Sequence, residues 1–69
     1  MTTPSQGAGL PAIGRPATRA LGEAGVRTLE QVASYRRREL LALHGVGPKA
    51  VGILAEALAA HGLAFADER

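Results

Sequence analysis

Five consecutive residues, Gly45-Val46-Gly47-Pro48-Lys49, hold most of the chemistry that this 69-residue chain offers. Two glycines flank an apolar residue, Leu43 precedes them, and Pro48 suits the first position of a following helix. This pattern predicts a tight turn that opens directly onto a helix. The first N–H groups of a helix have no partner inside it, and the aligned peptide dipoles leave partial positive charge there. Bare amides in such a turn are a natural seat for a phosphate. Lys49 adds a mobile ammonium two residues past the second glycine. The simpler reading of Gly45 and Gly47 is a tight turn and close helix packing, with no ligand.

A second copy of the pattern lies 33 residues upstream, where Leu10–Leu21 aligns without gaps on Leu43–Leu54. Leu10, Gly14, Ala17 and Leu21 repeat as Leu43, Gly47, Ala50 and Leu54, and Ile13 matches Val46. In this copy Ala12 replaces the first glycine, and Pro16 removes an N–H that a phosphate could use. Its candidate phosphate contacts are Gly14, Arg15 and Arg19. Two copies are too few for a solenoid, so the offset points to a closed domain with two hairpins.

The remaining polar residues carry less. Arg36-Arg37-Arg38 is the densest charge cluster and falls near a helix start, where positive charge is unfavourable by roughly 0.3–1 kcal/mol each. The trio is a possible secondary nucleic-acid contact, a protein-docking surface, or a solvated run. His44 and His61 lack a third ligand at suitable spacing, and cysteine is absent, so no metal site is expected. Tyr35 reads as a surface or rim residue. The pair Lys49 and Asp67 resembles that of some helix-hairpin-helix DNA glycosylases, in which the lysine after the second glycine is a Schiff-base nucleophile and an aspartate follows further along. That chemistry needs a desolvated pocket for an extruded base, which a chain with two aromatic residues cannot build. No enzymatic activity and no cofactor are expected.

Composition narrows the partner. The net charge is +2, and residues 10–66 hold seven basic side chains against four acidic ones, nearly all the basic ones arginine. That balance suits a polyanion, and arginine suits phosphate geometry. With only Tyr35 and Phe65, the chain cannot stack successive bases as single-strand binders do, so duplex backbone is the better ligand. No apolar run reaches the roughly 18 residues that span a bilayer, and no leader pattern opens the chain. A cytoplasmic protein without a membrane or small-molecule partner is the expectation. So short a chain buries only about 60% of its unfolded surface, which makes its stability marginal.

The elements that must position these residues are short helices. Residues 1–9 lack apolar pattern and are expected to form a disordered arm. Helices are expected from Arg15 or Pro16 to Ala24, from Thr28 to about Ala33, from Tyr35 to about Leu43, and from Pro48 to Ala60 or His61. Gly25 and Gly62 suit positions just past helix ends. Thr28 and Gln31 have the form of a capping box, and Ser34 is placed to cap the third helix. The last helix buries Ala50, Ile53, Leu54, Ala57 and Leu58, and Leu63 and Phe65 fold back over the core. No strand is expected. The fold class is therefore all-α: a domain of four to five short helices over 10–66, followed by a polar tail at 67–69.

These residues resemble the helix-hairpin-helix superfamily, whose hairpin reads apolar-x-Gly-apolar-Gly-x-x-small, satisfied by Leu43, Gly45, Val46, Gly47 and Ala50. Residues 10–65 look closest to the C-terminal domain of the bacterial RNA polymerase α subunit, a SAM-like fold with two hairpins. Gly25–Val32, Glu39–Leu43 and Leu58–Phe65 sit where that family has similar segments. The resemblance implies DNA contacts at Gly47 and Lys49. Pro16 stands where that family has an arginine, with Arg15 beside it; Arg19 replaces an asparagine and Ala50 a serine. Backbone binding without promoter-element recognition is what survives those changes. Two expectations follow. One is a non-enzymatic module gripping double-stranded DNA through Gly45, Val46, Gly47, Lys49, Gly14, Arg15 and Arg19. The other is a protein-interaction module, linked to transcription or repair, docking through Arg36, Arg37 and Arg38.

Overall fold

The computed structural model describes residues 9–68. Four α-helices follow one another: α1 (Arg15–Glu23), α2 (Leu29–Val32), α3 (Arg37–Leu41) and α4 (Pro48–Ala60), closed by a 3-10 turn (Ala66–Glu68). The fold is all-α; the only β feature among the described residues is an isolated antiparallel bridge between Gly9 and Thr28. The expected N-terminal arm otherwise lies outside the described residues.

α1 and α4 begin and end alike. Each has a glycine N-cap without a side-chain cap and a proline in its first turn. At the end of α1, Gly25 N–H donates to the Gly22 carbonyl (3.1 Å) and Val26 N–H to that of Leu21 (2.8 Å). At the end of α4, Gly62 N–H donates to Ala59 (3.1 Å) and Leu63 N–H to Leu58 (2.7 Å). Both are Schellman closures with the glycine at positive φ, 81° and 72°. They turn the chain back so that apolar residues just past each helix return to the core.

α2 is opened by the expected capping box. Gln31 N–H donates to Thr28 Oγ1 (3.2 Å), and Thr28 N–H donates to Gln31 Oε1 (3.1 Å). The same carboxamide oxygen accepts Arg27 N–H at 2.6 Å. Four residues could not hold a helix alone; the cap and the burial of Leu29 and Val32 do so.

The third helix differs from the sequence expectation. Ser34 does not cap it: its hydroxyl donates to the Gln31 carbonyl (2.6 Å) and so closes α2. α3 starts two residues later than expected, with Arg36 as N-cap, because Glu39 Oε1 accepts Arg36 N–H (2.7 Å). A carboxylate in the first turn also offsets the three arginines crowded there. Leu43 N–H turns to the Leu40 carbonyl (3.0 Å), ending the helix before Leu43 and starting the bend into the glycine turn.

The core gathers Ile13, Ala17 and Leu21 with Val26, Leu29, Val32, Leu40, Val46, Leu54, Leu58 and Phe65. α4 runs through the middle, packing against both α2 and α3. It buries Val51, which the expected stripe omitted, while Ile53 and Ala57 are only half-buried. Each fully buried aliphatic or aromatic side chain contributes about 1.5–3 kcal/mol.

Residues 67–69, set apart as a tail in the sequence reading, include Asp67 and Glu68, which fold against α3. Ala66 N–H donates to the Tyr35 carbonyl (2.8 Å). Arg37 Nε donates to Glu68 Oε2 (2.9 Å) and Nη2 to Oε1 (3.3 Å), while its guanidinium lies 4.8 Å from the centre of the Phe65 ring. Asp67 Oδ1 accepts Arg37 N–H at 3.4 Å, so the two carboxylates meet the start of α3.

Candidate nucleic-acid interface

The starts of α1 and α4 lie side by side. Just before α4, Gly45 packs on the first turn of α1: a Cβ there would stand 2.9 Å from the Pro16 carbonyl oxygen and 3.5 Å from its Cβ. Gly45 also has φ 96°. Conformation and contact both require glycine there, and together they seat the second hairpin on the first turn of α1.

Around this junction the expected contacts other than Val46 line two grooves that both reach Pro16 and Gly45. Gly14, Pro16, Gly47, Lys49 and the apolar floor of Ile13, Ala17 and Ala50 line one open groove. Arg15, Arg19, Glu23, His44 and Gly45 line a second, on the other side of Pro16. Two segments separated by 33 residues therefore deliver Lys49, Arg15 and Arg19 to neighbouring grooves. Pro16 and His44 belong to this surface and were not among the expected contacts. The Gly45–Pro16 approach places both there, and no sequence signal marked it.

The free amides are where helix geometry puts them. The helical bonding starts with Thr18 N–H to Gly14 O (3.0 Å) in α1 and Val51 N–H to Gly47 O (3.1 Å) in α4. Among the described residues, the N–H groups of Lys49 and Ala50 in α4, and of Arg15 and Ala17 in α1, have no acceptor. Val46 is different. Its side chain is core, and its N–H donates to the Leu43 carbonyl (3.1 Å), so it shapes the turn and offers no free donor.

The two turns are not equivalent in backbone. Gly14 has φ 94°, whereas its sequence partner Gly47 has φ −109° and ψ −178°, an extended conformation open to any residue. The positive-φ glycine of the second turn is Gly45, whose counterpart is Ala12, and no non-glycine residue among those described has positive φ. Aligned residues thus make two different bends that end in similar helix starts.

Lys49, Arg15 and Arg19 are exposed, and among the described residues the one ion pair joins Arg37 to Glu68. Glu23 is the only acidic side chain lining either groove. The arginine trio is not brought to this face. Arg36 and Arg38 are exposed elsewhere, and Arg37 is engaged by the closing turn. The hydrogen bond that Arg37 donates to Glu68, with the charges of Glu68 and Asp67, holds the Arg37 guanidinium above its ordinary range against the opposing effect of desolvation. Arg37 therefore stays charged and neutralised in place.

Among the described residues, no three His, Asp or Glu side chains are grouped to hold a metal ion, and no helix is long and apolar enough to cross a membrane. No family model, curated protein or solved structure matches this chain.

Proposed function

We propose that this chain is a non-enzymatic module that grips the backbone of double-stranded DNA with little regard to sequence, using a helix-hairpin-helix type of scaffold similar to the C-terminal domain of the polymerase α subunit. The observation that carries this is that two glycine-capped helix starts line one groove with Lys49, and Arg15 and Arg19 line the adjoining one. Free amides and the dipole ends of α1 and α4 favour phosphate oxygens, and the three cations add charge-assisted contacts. The α4 start and Lys49 hold one strand; Arg15 and Arg19 reach the other across the minor groove. Phosphate contacts position a protein on a duplex but read no bases, so discrimination is weak. Lys49 is exposed and so lacks the desolvation that a nucleophilic amine needs. The setting proposed is a bacterial cytoplasm.

Titration of a labelled random duplex at two salt concentrations tests this. With three to five phosphates neutralised, log affinity against log salt has a slope of about −2.7 to −4.5. A folded protein that leaves the duplex free at low salt defeats the proposal. The outcome would then favour a protein-docking module, for which α3 supplies a surface: Leu41, 40% exposed, is the one large apolar side chain so open among the described residues, and Arg36 and Arg38 lie on either side of the engaged Arg37.

A further inference from the structure

The groove of Arg15 and Arg19 receives one titratable side chain from the loop between α3 and α4, that of His44. The next residue, Gly45, is held against the Pro16 carbonyl by contact and by its φ of 96°. The backbone that carries His44 is therefore fixed beside the start of α1. His44 is exposed, and among the described residues its ring takes part in no hydrogen bond or ion pair. No polar contact of the fold uses the imidazole. The other charged groups of this groove all come from α1: the guanidinium groups of Arg15 and Arg19 and the Glu23 carboxylate, none of them in an ion pair. Lys49 stands in the adjoining groove, and the other charged side chains of α3 and α4 line neither. Histidine is the side chain whose ordinary charge change falls between about pH 5 and 8. Neutral, His44 leaves the groove with two cations against one carboxylate; charged, it makes a third cation, and both ring nitrogens become donors.

We infer that His44 is a proton-dependent phosphate contact: as imidazolium it joins Arg15 and Arg19 on one strand of the duplex, so that the grip tightens as pH falls. This deepens the duplex-binding proposal and rests on it. A phosphate oxygen beside the ring favours its charged form, so binding takes up a proton, and by linkage a lower pH strengthens binding. The Glu23 carboxylate opposes an anionic strand in the same groove, and the added charge on His44 offsets it. The upstream copy has Pro11 at the matching position, which lines neither groove, so the effect belongs to one groove alone. His61, the other histidine, is exposed at the end of α4 and also lines neither, which makes it the natural control.

Duplex titrations at about pH 5.5 and about pH 8, each at two salt concentrations, compare the native chain with His44→Gln, His44→Arg and His61→Gln, alongside thermal melting at both pH values. The native chain is expected to bind about five- to tenfold more tightly at the lower pH in roughly 0.1 M salt, with a log–log salt slope steeper by about 0.9. His61→Gln is expected to keep that gain. His44→Gln is expected to lose it, and His44→Arg to bind tightly at both pH values. Equal native affinity at both pH values, or a gain that survives in His44→Gln, overturns the contact and leaves duplex binding standing. A His44→Gln chain that melts well below the native one assigns the ring to the fold and also overturns it. A folded native chain that leaves the duplex free at both pH values overturns both proposals together.

Discussion

Gly45 rests its backbone against the carbonyl of Pro16, at a distance that leaves no room for a methyl group. This contact, between residues 29 apart in the sequence, sets the relative placement of the α1 and α4 starts. Gly45→Ala combines a positive-φ strain with a backbone clash and is expected to destabilise the domain by about 2–4 kcal/mol. Urea denaturation measures it, and duplex affinity should fall with it even below the unfolding midpoint.

Gly47→Asp should separate fold from function. The backbone at Gly47 is extended and the space beyond it open, so an aspartate is accommodated as an N-cap and is expected to hold or raise stability by a few tenths of a kcal/mol. Its carboxylate would occupy the seat assigned to a phosphate. Duplex binding is expected to drop sharply while the melting point does not, and undiminished affinity would remove the seat from α4.

Salt dependence assigns contacts one at a time. Lys49→Ala and Arg19→Ala should each reduce the steepness of the log–log salt plot by about 0.9, at an unchanged melting point. Arg38→Ala, away from both grooves, should leave it unchanged. Equal slopes for all three variants would count against the assigned face.

The closing turn should matter more for stability than its length suggests. Phe65 is 1% exposed beneath the Arg37 guanidinium, and Phe65→Ala is expected to cost about 3–5 kcal/mol, enough to unfold much of a marginal domain. Glu68→Gln removes only a half-exposed ion pair and is expected to lower the melting point slightly, less so as salt is added. A large loss in Glu68→Gln would mean that the turn is held by charge and not by the ring.

What the sequence made legible was local. Thr28 and Gln31 announced the α2 cap because both partners lie within one turn, and Gly25 and Gly62 announced the helix ends because few residues but glycine close a Schellman turn. The start of α3 was misread because Ser34 can bond either neighbouring helix, and only the Glu39 bond to Arg36 N–H settles which. The groove with Lys49 and the groove with Arg15 and Arg19 meet at the Gly45–Pro16 contact, which the repeated Leu-Gly-Ala-Leu spacing does not encode. The pairing of Arg37 with Glu68 spans 31 residues, and no short-range pattern encodes it. Ala12, in turn, lined up with Gly45 in sequence while the backbone bend moved to Gly14, since alignment records residue types and not dihedral angles.

Tyr35, whose carbonyl accepts Ala66 N–H, is the sole tyrosine in a chain without tryptophan. It stands at the seam where the closing turn meets the rest of the molecule and lines neither groove. Its ultraviolet emission, corrected for absorption by any added nucleic acid, is thus a built-in optical gauge: loosening of that seam should register in it, whereas a nucleic acid arriving at the glycine junction should leave it unchanged. The emission then reports the integrity of the seam alone, beside a labelled duplex that reports occupancy.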